Sequence, residues 1–226
     1  MANAIITQKG AATTGKKEAA KGLRQLADIY RLSNQVEGKS IKTVTWYHEM
    51  LQAFIRYLES RHIAASLPAF NIDTVGNYIL YLQRKHCFQG HATIAARAAV
   101  LSPRTVQCHV RVLRAFSSWL LREGYTTANR LQNLKLPKAP HLIIEPLTPE
   151  EIESIMQVAA DSRMGERNRT IIMLALDSGL RAGEIAGIRL GQVNLQAGLV
   201  KVMGKGSKER IVPIGKVVQA ALWHYI

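Results

Sequence analysis

Cysteine is nearly absent from this sequence of 226 residues, which contains only Cys87 and Cys108. Two cysteines cannot build a disulfide framework, and these two lack the close pairing of a zinc site, so the sequence fits a reducing compartment. His86, Cys87 and His91 lie near one another, but they are too few and too loosely spaced for a metal site. We therefore expect no bound metal.

Long apolar runs are missing as well. The longest strongly apolar run covers residues 171–176, which is far too short to span a bilayer. The first 17 residues also lack the apolar core of a secretory signal. From these two absences we expect a soluble, cytoplasmic protein with no membrane partner.

Acidic residues are scarce and unevenly placed. The chain has 30 lysines and arginines against 16 acidic residues, a formal charge of +14. Residues 1–140 hold 20 of the basic residues and 7 of the acidic ones, whereas residues 141–226 hold 10 and 9. A chain this basic favours an acidic partner such as nucleic acid or an anionic membrane. The asymmetry predicts two modules, the first of which grips a polyanion; the alternative is a set of ordinary solvated lysines.

The first module is predicted to be helical. Residues 1–22 are small, polar and basic and are expected to form a flexible arm. Apolar side chains recur at helical spacing in residues 23–35 and 42–60, and again in a helix that starts at Asp73. We place this module at residues 23–128, followed by an extended, basic linker at residues 129–145 that contains prolines.

The most informative helix of the first module starts at Ser102 and Pro103, a serine cap followed by proline at the first helical position. One face carries an apolar stripe. An adjacent face repeats polar and basic side chains at three- and four-residue spacing and contains no acid, which suits phosphates and guanine edges. The alternative is an ordinary solvated face. The candidate DNA contacts on this helix are Arg104, Thr105, Gln107, Arg111 and Arg114, with Ser118 continuing the stripe.

The second module is predicted to cover residues 146–226. Thr148 and Glu151 form a capping box, with Pro149 at the first helical position. A second helix is expected to end at about Ser178. Its run at residues 171–176 is apolar on every side, so we expect this helix to be fully buried, with Gly179 as its left-handed cap.

A short helix that begins at Arg181 and a hairpin after it are the candidate functional site. A guanidinium at a helix start lies where backbone amides also favour an anion, although Arg181 could instead pair with Glu184 on the surface. Residues 199–203 and 210–214 alternate as two strands, and the loop GKGSK joins them with Lys205 and Lys208 at a cationic tip. The loop lacks the Walker order, so nucleotide hydrolysis is not expected.

SGLRAGEIAGIRLGQV followed by VKVMGKGSKERIVPI resembles the first half of the catalytic domain of tyrosine recombinases, the phage integrase and Xer family. SPRTVQCHVRVLRAFSSWL is similar to the core-binding domain of the same family. The resemblance implies a mainly α fold with a small antiparallel β-sheet: a helical core-binding domain joined to the N-terminal part of an α+β catalytic domain. It also implies a C-shaped clamp around double-stranded DNA and self-association of protomers on that DNA.

The family mechanism is implied in the same way. A tyrosine attacks a DNA phosphodiester, forms a 3′-phosphotyrosyl link and releases a 5′ hydroxyl; a second DNA end reverses the step, and no cofactor is needed. Arg181 would match the first catalytic arginine and stabilise the transition state, and Lys205 would match the lysine that serves as general acid. Glu184 would support the arginine helix, and Lys208 and Arg210 would contact the DNA backbone.

The sequence departs from the family where its later catalytic residues would be. The His-x-x-Arg pair and the nucleophilic tyrosine lie well beyond the hairpin in the family, whereas 12 residues follow Ile214 here. Tyr225 falls on a helical face with Val218, so we do not expect it to be the nucleophile. We expect a chain truncated before those residues, which binds DNA but does not cleave it. The alternatives are a naturally short, inactive DNA-binding protein or recombinase regulator, and a helix-turn-helix regulator.

Overall fold

The computed structural model describes residues 21–88, 95, 97–140, 143–204, 206 and 208–226. The predicted arm, apart from its last two residues, and the predicted site residue Lys205 lie outside that range, as does His91. The chain divides into two compact units, Met1–Leu142 and Ile143–Ile226. Helices dominate both, and the second contains a small antiparallel sheet, so the predicted fold class is confirmed. No helix of the described residues is long and apolar enough to cross a membrane.

The described residues of the first unit contain four helices. Three begin at side-chain caps, because the side chains of Ser40, Asn71 and Ser102 each accept a hydrogen bond from the backbone amide three residues on. Asn71 therefore opens the third helix, rather than the Asp73 that the sequence suggested. The four helices are α1 (Leu23–Val36), α2 (Ile41–Ser60), α3 (Ile72–Arg84) and α4 (Pro103–Arg122).

The core of the first unit is aromatic. Phe70 contacts Phe54 and Phe116 with ring centroids 5.8 and 5.4 Å apart, and Tyr30 lies 5.3 Å from Phe116. Rings in these tilted and edge-on arrangements add specific attraction to the burial of their large apolar surfaces. The predicted apolar stripe of α4 is confirmed, since every member is buried: Val106, Val110, Leu113, Phe116 and Leu120.

The predicted linker starts too early. Leu131 is 1% exposed in the core of the first unit, and its amide donates to Ser117 Oγ at 3.2 Å. Leu134 packs against the same core. Further on, Gln107 Nε2 donates to the carbonyl of Pro137 at 2.7 Å. The prolines and basic residues of this segment suggested an extended linker, but its leucines anchor it to the first unit.

The second unit combines helices with a three-stranded antiparallel sheet. The hairpin of β2 and β3 pairs Val200 with Val212, and a short additional strand, β1, which the sequence analysis missed, pairs with β2. In order the elements are α5 (Pro149–Ala160), α6 (Gly165–Ser178), α7 (Ala182–Ala186), a 3₁₀ turn (Leu190–Gln192), β1 (Val193–Asn194), β2 (Leu199–Met203), β3 (Glu209–Pro213) and α8 (Lys216–Tyr225).

Helix α6 is only half buried, so the prediction of complete burial was wrong. Leu174 lies in the core of the second unit with Val200, Val212 and Leu222, whereas Ile171 and Leu176 are 41% and 48% exposed. An apolar run without a polar side carries no periodicity, and therefore cannot indicate which of its sides will be covered.

Candidate functional site

Arg181 is held at a fixed point between two helices. Gly179 ends α6 with a left-handed φ of 59°, which glycine adopts without strain. Leu180 is then buried in the core, and Arg181 becomes the N-cap of α7. The Arg181 side chain remains 71% exposed. The fold thus fixes the backbone of this arginine while it presents the guanidinium to solvent.

Glu184 is the centre of the site. Its Oε2 accepts hydrogen bonds from the Arg181 backbone amide at 2.8 Å and from Arg210 Nη2 at 2.9 Å. Its Oε1 accepts a third from Arg181 Nη1 at 3.0 Å. The Glu184 side chain is only 4% exposed, and a buried carboxylate needs such partners. Only Nη1 of the Arg181 guanidinium is bonded to Glu184, so the group retains further N–H donors.

These hydrogen bonds control the charge of Glu184. They lower the pKa of its carboxyl group from 4.5 to about 2, chiefly through the Arg181 backbone amide and then the Arg210 guanidinium, while burial acts in the opposite direction. Glu184 is therefore ionised at neutral pH. It offsets part of the positive charge of the two arginines, while most of the Arg181 side chain remains accessible to solvent.

The lowered pKa predicts a pH-dependent stability. Since the folded-state pKa lies below 4.5, the ionised carboxylate stabilises the second unit fully above about pH 4.5 and progressively less as the pH falls towards 2. Glu184→Gln should reduce the protection of the β2 and β3 amides at pH 7, and the difference from wild type should shrink between pH 4.5 and 2. Native-state hydrogen exchange measures this unit by itself.

Glu153→Gln is the matched control, because it removes an exposed carboxylate from α5 and should leave the exchange profile of the strands unchanged. A constant difference between Glu184→Gln and wild type from pH 7 down to 2 would contradict the assignment of the stabilisation to the ionised carboxylate.

The base of the hairpin lies against the same carboxylate. The Gly204 amide donates to the Lys208 carbonyl at 2.7 Å, which closes the tip. A Cβ added at Gly204 would lie 3.5 Å from Glu184 Oε1, so this glycine packs beside Glu184. Lys205 follows Gly204 directly in the sequence. Gly204, which begins the loop between β2 and β3, and helix α7 therefore meet at Glu184.

Arg210 has a structural partner that sequence reasoning missed. It was predicted to contact DNA, but its Nη2 is bonded to Glu184, 26 positions away along the chain. Its side chain is still 43% exposed, so a DNA contact stays a prediction. Lys208 is exposed at the hairpin tip. No local pattern links Glu184 to Arg210, because their contact depends on how α7 packs against the sheet.

The predicted DNA-binding face of α4 is largely exposed. Arg104, Arg111 and Arg114 all reach solvent. Gln107 is half-buried between the Pro137 carbonyl and Arg104, whose Nη1 donates to Gln107 Oε1 at 3.4 Å. The docked segment also carries two exposed lysines, Lys135 and Lys138. Thr105 takes part in the cap of α4, since its backbone amide donates a hydrogen bond to the Ser102 hydroxyl at 3.1 Å.

Tyr225 lies beside α6 and borders two cavities. Tyr225 lines a small cavity with Arg163, Met164, Gly165, Glu166 and Arg167, at the N-terminal end of α6. Arg181 follows the C-terminal end of the same helix, which has 14 residues and so spans about 20 Å. Tyr225 also lines a second cavity, which includes Leu174 of α6 and Ile185 and Ala186 of α7.

The described residues contain no group of three or more histidine, cysteine, aspartate or glutamate side chains arranged to hold a metal ion. Both cysteines are free thiols.

A family comparison matches the second unit. Residues 145–226 match the model of the phage integrase family. The tyrosine recombinase XerC of Xylella fastidiosa strain 9a5c is 38% identical over 122 residues, which cover 54% of this chain and 42% of the relative. The tyrosine recombinase XerD of Halalkalibacterium halodurans is 31% identical over 195 residues, or 84% of this chain and 59% of the relative. The chain thus spans less than two thirds of these curated relatives.

Solved structures share the fold at low sequence identity. A λ integrase tetramer bound to a Holliday junction aligns with 91% of this chain and 55% of its own, with a TM-score of 0.65 and 18% identity. The Tn1549 transposon integrase, in complex with a circular intermediate DNA, aligns with 91% of this chain and 65% of its own, with a TM-score of 0.61 and 15% identity.

Proposed function

We propose that this chain is a tyrosine recombinase of the phage integrase family and takes part in site-specific DNA recombination through a 3′-phosphotyrosyl intermediate. Its substrate would be double-stranded DNA, on which recombinase protomers self-associate. The XerC and XerD relatives support the reaction class. The λ and Tn1549 integrases, whose structures contain DNA, support the substrate. No cofactor is required, since the bond energy is retained in the protein–DNA link.

The observation that carries the proposal is the Arg181–Glu184–Arg210 cluster. Arg181 is exposed but oriented, because a buried and ionised Glu184 binds both its backbone amide and its Nη1. Such preorganised charge stabilises a phosphate whose negative charge grows in a transition state. Gly204 packs beside Glu184, and Lys205 is the next residue in the sequence. We propose that Lys205 donates the proton to the leaving 5′ oxygen. A protein that only binds DNA has no need for an arginine supported in this way.

We assign DNA binding in the first unit to α4. Arg104, Arg111 and Arg114 point to solvent from one helical face, and the docked segment adds Lys135 and Lys138. Guanidiniums and ammoniums at this density neutralise several phosphates along a duplex. The first unit, including the segment that Leu131 anchors, would then be the core-binding domain, and residues 146–226 would be the part of the catalytic domain that holds Arg181 and Lys205.

We further propose that these 226 residues bind DNA without cleaving it. They contain no His-x-x-Arg sequence, and Tyr225 lies on the helical face that carries the buried Val218. A nicked suicide substrate, which traps covalent intermediates, should give a retarded complex on native gels. It should give no complex that survives denaturation in SDS.

The control for this experiment is Tyr225→Phe, which should behave like the wild-type chain in both gels. An SDS-resistant protein–DNA complex that Tyr225→Phe abolishes would overturn the proposal, because it would identify Tyr225 as the nucleophile. Absence of the retarded complex would overturn the assignment of DNA as substrate.

A further inference from the structure

A cavity of about 570 Å³ opens between α2, α3 and α4 in the first unit. Its volume falls in the range of roughly 300–1,000 Å³ that is common for small-molecule sites. Basic and aromatic side chains line the cavity, among them Arg56, Lys85, Tyr57, Tyr81 and Phe88, together with the buried His109. Neither the Arg181 cluster nor the basic face of α4 contributes to it.

The cavity is electropositive. Arg56 reaches it from α2, and Lys85 reaches it from the residue that ends α3. The described residues that line the cavity include no aspartate or glutamate. Two permanent cations without a lining carboxylate favour an anionic ligand, and an arginine fork suits the oxygens of a phosphate.

Aromatic rings form one wall. Tyr57 lies 5.0 Å from both Tyr78 and Tyr81, measured between ring centroids, and Tyr78 lies 6.3 Å from Tyr81. Tyr81 is only partly buried, and Lys85 Nζ lies 5.8 Å from its ring centroid. A planar ligand ring can stack on such a surface, and this stacking is tolerant of the identity of the base.

Phe88, which also lines the cavity, has an unusual backbone conformation. It has a φ of 60° and is 39% exposed. A left-handed φ in a bulky residue is strained, and strain of this kind concentrates at binding and catalytic sites. The Arg97 guanidinium lies 5.1 Å from the Phe88 ring centroid. A strained backbone conformation thus places an aromatic side chain in the lining of the cavity.

The floor is polar but uncharged. The Tyr78 hydroxyl and His109 Nδ1 are hydrogen-bonded at 3.0 Å. Burial, with a smaller contribution from Lys85, lowers the pKa of His109 to about 4, so its imidazole is neutral at neutral pH. Burial also raises the pKa of the Tyr78 hydroxyl. Neutral groups that can donate and accept are suited to the polar edge of a base.

We propose that this cavity is a nucleotide site, in which Arg56 and Lys85 hold the phosphate and the base stacks on Tyr81 and Phe88. The nucleotide could be free in solution or could be an unpaired nucleotide of a DNA strand. The site is separate from the DNA-binding face of α4, because His109 lies two residues before Arg111 and therefore about 200° away around the helix. The inference does not depend on the proposed recombinase function.

Isothermal titration calorimetry of the 226-residue protein at about 150 mM salt tests the site, a concentration that screens non-specific charge effects. Adenosine 5′-monophosphate should bind more tightly than adenosine or inorganic phosphate alone. Arg56→Gln combined with Lys85→Gln should weaken its binding about tenfold or more, since two charge-assisted hydrogen bonds are lost. Tyr81→Leu, which keeps both cations, should weaken the binding of adenosine as well.

The matched control is Arg31→Gln combined with Lys42→Gln. It removes the same two charges from exposed positions that do not line the cavity, and it should leave binding of the nucleotide unchanged. Equal weakening in both double variants would overturn the proposal, because it would show that only net charge matters.

A comparison of a blunt DNA duplex with the same duplex carrying unpaired 3′ nucleotides distinguishes a free nucleotide from an unpaired nucleotide of DNA as the ligand. If the overhang strengthens binding in the wild type and not in Arg56→Gln/Lys85→Gln, the ligand is an unpaired nucleotide of DNA. If adenosine 5′-monophosphate binds and the overhang adds nothing, the ligand is a free nucleotide. If neither effect is seen, there is no nucleotide site here.

Discussion

The affinity of this chain for duplex DNA is expected to fall by a factor of about a thousand or more when salt rises from about 50 to 200 mM. The reason is that roughly six to ten neutralised phosphates release their counterions on binding. The protein has enough exposed basic side chains to contact roughly six to ten phosphates. Arg104, Arg111 and Arg114 are exposed on one face of α4, and Lys135 and Lys138 lie on the segment docked beside it. Arg181 and the hairpin lysines add to them from the second unit.

The slope of the logarithm of affinity against the logarithm of salt identifies the residues responsible. Arg111→Gln combined with Arg114→Gln should reduce the slope by about two, since each lost phosphate contact contributes about 0.9. Fluorescence anisotropy with a labelled duplex over a salt series measures both values. The reduction should be similar for unrelated DNA sequences, because phosphate contacts carry no sequence information.

Arg31→Gln combined with Lys42→Gln again serves as the control, since it lowers the net charge by the same amount from positions outside the α4 face. An unchanged slope in this control, with a reduced slope in the α4 variant, locates the interface on α4. A wild-type slope near zero would refute electrostatic DNA binding altogether, and equal reductions in both variants would refute its location.

Phe116→Ala should destabilise the first unit by about 3–5 kcal/mol, the usual cost of deleting a buried ring whose cavity cannot collapse. The Phe116 side chain is 1% exposed. Its ring contacts Phe70, Tyr30 and Trp119, with centroids 5.3 to 5.8 Å apart. Because helices α1 and α4 meet through these rings, the loss would be a large part of the stability of a domain of this size.

Native-state hydrogen exchange of the α1 and α4 amides over a urea series measures this loss for the first unit by itself. It avoids fluorescence, to which Trp46, Trp119 and Trp223 would all contribute. Leu121→Ala is the matched control on the same helix, since Leu121 is 40% exposed and should cost less than about 1 kcal/mol. Similar losses of stability in Phe116→Ala and Leu121→Ala would mean that the aromatic cluster is not a main source of the stability of the first unit.

The sequence by itself determined the features that depend on residues within about four positions of one another. The apolar stripe of α4, its Ser102 cap, the Thr148–Glu151 capping box and the left-handed Gly179 are local patterns, and the structure contains all of them. Local hydrogen bonds and helical periodicity can be read directly from the order of residues. The order of residues also placed Arg181 at the start of a helix beside a possible Glu184 partner.

Only the tertiary structure decided which side of α6 is covered, that Leu131 is anchored in the first unit, and that Arg210 is bonded to Glu184. It also assembled the cavity of Arg56, Tyr81 and Lys85 from separate helices. Each of these contacts joins residues that are distant in the chain, or selects among equivalent apolar sides, and so depends on packing rather than on local spacing. An exposed arginine could be read from the sequence, but the buried carboxylate that orients it could only be seen once the helix and the sheet were packed together.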